Sequence, residues 1–125
     1  MKKFLAAISA VLVLLALCAC EKTQLPLLDQ HPHIDTQYYP DGKTILCETE
    51  YGDGGICIRE TFYAANGVKA TETCFNADGK PISATQYDED GRLAERIEYE
   101  YDSRGNVINE KQYTPDGVSE SSNDE

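Results

Sequence analysis

Short runs of alternating apolar and polar residues fill the chain from about residue 38 to 118, and each run ends the same way. An aromatic residue is followed four places later by glycine: Tyr38 and Gly42, Tyr51 and Gly55, Tyr63 and Gly67, Phe75 and Gly79, Tyr87 and Gly91, Tyr101 and Gly105, Tyr113 and Gly117. Successive glycines stand 13, 12, 12, 12, 14 and 12 residues apart. Self-similarity at a fixed period is the mark of a repeat architecture. The runs are rich in Thr, Ile, Val, Tyr and Glu and last about eight residues, which is strand length and strand composition. Turn formers precede the glycines, among them Pro40-Asp41, Asn66, Ala77-Asp78, Glu89-Asp90, Ser103-Arg104 and Pro115-Asp116. Four such residues ending in glycine suit a type I turn closed by a left-handed residue. The pattern predicts an all-β fold: an antiparallel meander of about seven short strands joined by Gly-ended tight turns.

Four-residue turns would set Tyr51 opposite Ile56, Tyr63 opposite Val68, Phe75 opposite Lys80, Tyr87 opposite Arg92 and Tyr101 opposite Asn106. Because side chains alternate along a strand, this register sorts the residues into two faces. One face gathers Ile45, Cys47, Tyr51, Ile56, Ile58, Phe62, Phe75, Ile82, Ala84, Leu93, Ile97, Tyr99, Tyr101 and Ile108. The other carries Glu48, Glu50, Arg59, Thr61, Glu72, Ser83, Thr85, Arg92, Arg96, Glu98, Asn109 and Lys111. A sheet with one apolar face needs cover, so a curled or partly closed sheet is expected, or self-association through that face.

The ends of the chain read differently. Lys2 and Lys3 precede an apolar run, Phe4 to Leu17, that is short for a membrane span. It ends in Leu17-Cys18-Ala19-Cys20, which resembles a bacterial lipobox. The resemblance implies a signal peptide over residues 1–19, lipidation of Cys20, and an extracytoplasmic domain anchored to a membrane surface. Residues 20–37 then form a lipidated N-terminus and flexible tether, 38–118 the repeat domain, and 119–125 a polar, acidic, disordered tail.

Charge narrows the partners. Removing residues 1–19 takes away two of eleven basic residues and none of the 22 acidic ones, so the net charge moves from −11 to −13. Nucleic acid and anionic headgroups both need basic patches, so neither is an expected partner.

Three cysteines remain for the domain: Cys47, Cys57 and Cys74. Four-residue turns bring Cys57 directly opposite Cys74 on the polar face, close enough for a disulfide, and place Cys47 on the apolar face. Tyr63, Tyr87 and Tyr113 end alternate strands, so they share one edge and the polar face. Beside Arg59, Arg92 and Arg96 they form a candidate surface for a glycan or an extended peptide. His31 and His33, with Asp29 and Asp35, lack a preorganised fourth ligand and lie in the tether, so no metal or cofactor is expected. No serine or cysteine nucleophile has a histidine nearby, which points away from catalysis.

The units Tyr87-Asp-Glu-Asp-Gly91-Arg-Leu93 and Tyr101-Asp-Ser-Arg-Gly105-Asn-Val107 resemble YD repeats of RHS-type proteins, with looser likeness across residues 38–118. That resemblance implies a secreted or surface β-scaffold whose repeated Tyr, Asp and Gly build turns. The expected function is a non-catalytic, lipid-anchored module for protein or glycan interaction at the cell envelope. An envelope hydrolase using paired carboxylates, or an immunity-type structural lipoprotein, is the alternative.

Overall fold

The computed structural model describes residues 31–122. They form one eight-stranded antiparallel sheet in strict sequence order: β1 (His33–Tyr38), β2 (Ile45–Tyr51), β3 (Cys57–Tyr63), β4 (Lys69–Phe75), β5 (Pro81–Tyr87), β6 (Leu93–Tyr101), β7 (Val107–Thr114) and β8 (Gly117–Ser122). The expected signal peptide, Cys20 and the first part of the tether lie outside the described residues.

Five consecutive turns, from the β2–β3 turn to the β6–β7 turn, are built alike. In the β4–β5 turn the Asn76 N–H donates to the Lys80 carbonyl at 2.9 Å and the Gly79 N–H donates to the Asn76 carbonyl at 3.0 Å. Gly79 sits at φ +75°, the left-handed conformation that closes a type I turn in a three-residue loop. Side chains reinforce these turns. The Oδ1 atoms of Asn76, Asp88 and Asp102 each accept backbone N–H groups two and four residues on, at 2.8 to 3.0 Å. The Asx residue after the aromatic is therefore a turn cap, which explains its recurrence without any ligand.

Asp102 makes this testable. Its carboxyl lies below the usual carboxylate range, chiefly because the Asn106 side chain donates to it. A depressed folded pKa contributes stability that is present above the unfolded value, 3.8, and is lost as pH falls through the folded one. Asp102→Asn keeps an acceptor but cannot titrate. Its melting temperature should therefore fall less steeply than that of the wild type between about pH 5 and about pH 2.

Each of these turns is followed by a one-residue bulge. After the β3–β4 turn, Ala64 pairs with Val68 and Tyr63 with Lys69, but Phe62 pairs with Thr71. The three-residue loop and the bulge together displace cross-strand partners by two residues from a four-residue-turn register. Tyr51 faces Cys57, Phe75 faces Pro81, Tyr87 faces Leu93 and Tyr101 faces Val107. A shift of two leaves the faces of the strand bodies unchanged, since side chains alternate with period two. It does move Cys74 away from Cys57: Cys74 lies opposite Arg59, and Cys57 opposite Tyr51. The direct opposition on which a Cys57–Cys74 bridge was expected is absent, and Cys47, Cys57 and Cys74 are all thiols in the described sheet.

The sheet also extends past the expected ends. β1 draws on residues assigned to the tether, and β8 replaces the start of the expected tail. Both are edge strands, where one neighbour supplies the backbone pairing and a polar sequence such as Gly-Val-Ser-Glu-Ser-Ser is suitable.

The sheet is neither closed nor folded over; β1 and β8 remain its two edges. The middle of the apolar face accounts for this. Thr49, Glu60, Thr73 and Ala84 face one another in an unbroken row from β2 to β5. A row of polar side chains offers a second layer little apolar area to cover. Among the described residues Cys47, 1% exposed, is the single buried apolar side chain. Thr49, Glu60, Thr61, Ser83 and Thr85 are also buried, sheltered within the one layer rather than by another.

Candidate functional site

The two faces offer different surfaces. On the polar face, named here for its expected composition, the tyrosines that end β3, β5 and β7 do share one edge, the edge formed by the β1–β2, β3–β4, β5–β6 and β7–β8 turns. They are occupied within the sheet. The Tyr63 hydroxyl donates to Glu48 at 2.6 Å, and the Tyr113 hydroxyl donates to Glu98 at 3.0 Å. Each glutamate lies 15 residues before its tyrosine, diagonally across the strand pair. Tyr87 has Glu72 at the same spacing, but there Lys69 intervenes. Its ammonium reaches Glu72 at 2.9 Å and lies 5.7 Å from the centre of the Tyr87 ring.

Tyr63 shows the effect of such a partner. Its phenol is pushed up to about 12, first by the hydrogen bond to Glu48 and then by burial. Tyr63→Phe removes a hydrogen bond to a carboxylate at a half-exposed site. It should cost about 1 kcal/mol, measured by urea unfolding.

The arginines of the expected binding surface are likewise engaged. Arg59 pairs with Glu50 at 3.4 Å, Arg92 with Asp90 at 3.1 Å and Arg96 with Glu98 at 2.7 Å. The Arg59 guanidinium is held above its ordinary value mainly by the neighbouring Cys74 side chain and then by Glu50. The polar face is thus a ladder of cross-strand pairs in which the expected ligand contacts serve the sheet. A shallow depression of about 400 Å³ lies beside Tyr63, lined by Lys43, Thr44, Ile45 and the Ala65-Asn66-Gly67 turn.

The opposite face carries a different feature at its other end. Ile58, Ile82 and Ile108, on β3, β5 and β7, are 38%, 41% and 41% exposed. They occupy the same face as Tyr51, Phe75, Tyr99 and Tyr101, near the β2–β3, β4–β5 and β6–β7 turns. The Tyr101 hydroxyl donates to the Pro81 carbonyl at 2.5 Å, and the Lys80 ammonium, hydrogen-bonded to the Gly105 carbonyl, lies 5.3 Å from the Tyr101 ring centre. Burial in this cluster pushes the phenols of Tyr99 and Tyr101 up. The result is an apolar strip running across the strands, about 24 Å from β2 to β7 at ordinary strand spacing.

The strand positions of this face include Asp35, Glu60, Glu95 and Glu110 and no lysine or arginine. Arg59, Arg96 and Lys111 occupy the alternate positions, and Lys69 reaches Glu72 on the polar face. The Gln112 amide donates to Glu95. Sequence patterning places the isoleucines of the strip correctly on one face. The diagonal Tyr–Glu pairs are unforeseen, although their fixed spacing of 15 is present in the sequence. So is the seat of His33, whose ring stacks on Tyr51 at 4.8 Å and 18°.

No family model and no curated protein matches the chain. Among solved structures, the sheet is similar to part of a crystal structure of accessory secretory protein 1, 2 and 3 in Streptococcus pneumoniae. The identity is 14% and the TM-score 0.45, over 77% of this chain and 20% of that one. It is also similar to part of a GtfA/B complex bound to UDP and GlcNAc, at 11% identity and TM-score 0.43, over 79% of this chain and 25% of that one. The chain spans a fifth to a quarter of the length of these partial, distant likenesses.

Proposed function

We propose that the chain is a lipid-anchored, extracytoplasmic β-repeat module, non-catalytic, that binds a protein or glycan at the cell envelope. The observation that carries the binding role is the strip of half-exposed isoleucines and aromatics on a one-layer sheet. A contiguous apolar strip rimmed by polar groups is what an interaction surface looks like, and a protein partner suits it better than a glycan. The lipobox-like Leu17-Cys18-Ala19-Cys20 and the repeats resembling YD units support the envelope setting. On this reading the strip meets the partner, and the tyrosine edge holds the sheet together.

Capture from envelope extract separates the two surfaces. Ile82→Ser/Ile108→Ser should abolish capture of the partner, while Tyr63→Phe/Tyr87→Phe/Tyr113→Phe should retain it. Capture unaffected by the isoleucine pair would contradict the assignment. Cys20→Ser should release the chain from the membrane fraction; retention there would contradict lipid anchoring.

A further inference from the structure

Among the described residues the outer edge of β1 has no backbone neighbour. The Tyr39 N–H donates inward to the Thr44 carbonyl at 2.8 Å, so strand alternation turns the backbone groups of Ile34, Thr36 and Tyr38 outward. Two of these residues also carry exposed apolar side chains. Ile34 is 60% and Tyr38 52% exposed, more than any isoleucine of the strip. Outward donors and acceptors beside apolar side chains are the surface to which a further strand adds. We propose that β1 pairs antiparallel with β1 of a second copy, about a two-fold axis through Thr36, and joins the two sheets edge to edge.

In this register His-Ile-Asp-Thr-Gln-Tyr is its own complement. Thr36 faces Thr36 of the second copy, Ile34 faces its Tyr38, and Asp35 faces its Gln37. Each outward pair exchanges both of its backbone N–H···O bonds. Aromatic on β-branched, and threonine on threonine, are favourable cross-strand pairs. The axis stands perpendicular to the sheet, so both isoleucine strips lie on the same side. The pairing itself does not depend on what those strips bind.

Charge permits this edge and disfavours the other. The acidic and basic side chains of β1 are Asp35 and His33, which lie 4.0 Å apart within one copy. The nearest like charges across the axis are the two Asp35 carboxylates, exposed diagonal neighbours at ~7–8 Å that salt screens. On the opposite face Glu48 and Glu50 stand one strand back, Glu48 held by Tyr63 and Glu50 by Arg59. Asp41 and Lys43 belong to the β1–β2 loop, past the paired residues. On β8 the outward residues are Val118, Glu120 and Ser122, and a two-fold centred on them sets Glu120 against Glu120. Pairing β1 with β8 of the next copy leaves an edge unused at each end and does not close.

The test uses the full chain in two differently tagged copies. With Thr36→Cys, mild oxidation should join position 36 of one copy to position 36 of the other, because a hydrogen-bonded pair sets its Cα atoms ~5.5 Å apart. Glu120→Cys on β8 should give no link between copies. Thr36→Pro removes the two bonds that the central pair exchanges and, since that N–H points outward, none within the sheet. It should weaken the dimer roughly 30-fold by sedimentation, with the strand signal in circular dichroism unchanged. Ile82→Ser/Ile108→Ser should leave the dimer intact, which separates this pairing from capture of a partner by the strip. A monomeric wild type, links as frequent at 120 as at 36, links from position 36 to another protein alone, or a dimer equally tight in Thr36→Pro would overturn the proposal.

Discussion

Thr85→Pro is expected to unfold most of the protein, while Val118→Pro is expected to be tolerated. Thr85 is buried in β5, which pairs with β4 on one side and β6 on the other. Proline there removes a ladder donor and forces the ring into a fully paired strand, at a cost of about 3 kcal/mol or more. A domain of this size has a total stability of only about 5 to 10 kcal/mol. Val118 is 58% exposed in β8, an edge strand paired with β7 alone. Thr114 and Gly117 close the two-residue β7–β8 turn, so strand alternation directs the N–H of Val118 outward. Its loss should cost less than about 1 kcal/mol. Thermal unfolding followed by circular dichroism reads both. Equal damage at the two sites would mean that β8 has a second neighbour and that the sheet is closed.

The second large effect is expected at Cys47. Among the described residues it is the one apolar side chain that the single layer covers fully, at 1% exposure. Cys47→Asp places a carboxylate where nothing solvates it, next to Thr49 and opposite Phe62, and should cost about 3 to 5 kcal/mol. Cys47→Ala removes one sulfur and should cost about 1 kcal/mol. Alkylation should follow the same order of cover. Cys57 and Cys74, both half-buried, should react in the native state, and Cys47 only on unfolding. Rapid native-state labelling of Cys47 would contradict its position.

These expectations show how far the sequence alone carries the fold. Period, strand length and glycine placement suffice for an antiparallel meander because each repeat contains its own turn and its own strand. The faces are legible too, since Ile58, Ile82, Ile97 and Ile108 fall on one side. Cross-strand partners are not. A three-residue loop followed by a bulge shifts pairing by two, and that shift leaves every strand-body face as it was. The grouping of isoleucines therefore cannot distinguish Cys57 from Arg59 as the neighbour of Cys74. Bulges have no residue signature in this chain; the residues that follow the glycines range from Ile56 to Lys80 to Asn106.

The open sheet is hidden for a related reason. Apolar residues suggest a face that must be covered, but the polar row of Thr49, Glu60 and Thr73 shows its effect only when the strands are aligned. The edge strands β1 and β8 lie beyond the clear repeats and are held by backbone pairing, which composition does not report. As for the site, the tyrosine edge is correctly located in sequence, but its partners are not. Glu48 and Glu98 are two among many acids until the strand diagonal brings each to a phenol.

The register underlies both the faces and the strip, and one cross-link tests it. In Arg59→Cys the new thiol stands directly opposite Cys74, so mild oxidation should join residues 59 and 74, as seen by mass spectrometry without reductant. The three-residue loops and bulges require that product. A bridge between Cys57 and Cys74 in the same sample, with position 59 left reduced, would restore the four-residue-turn register and contradict the account.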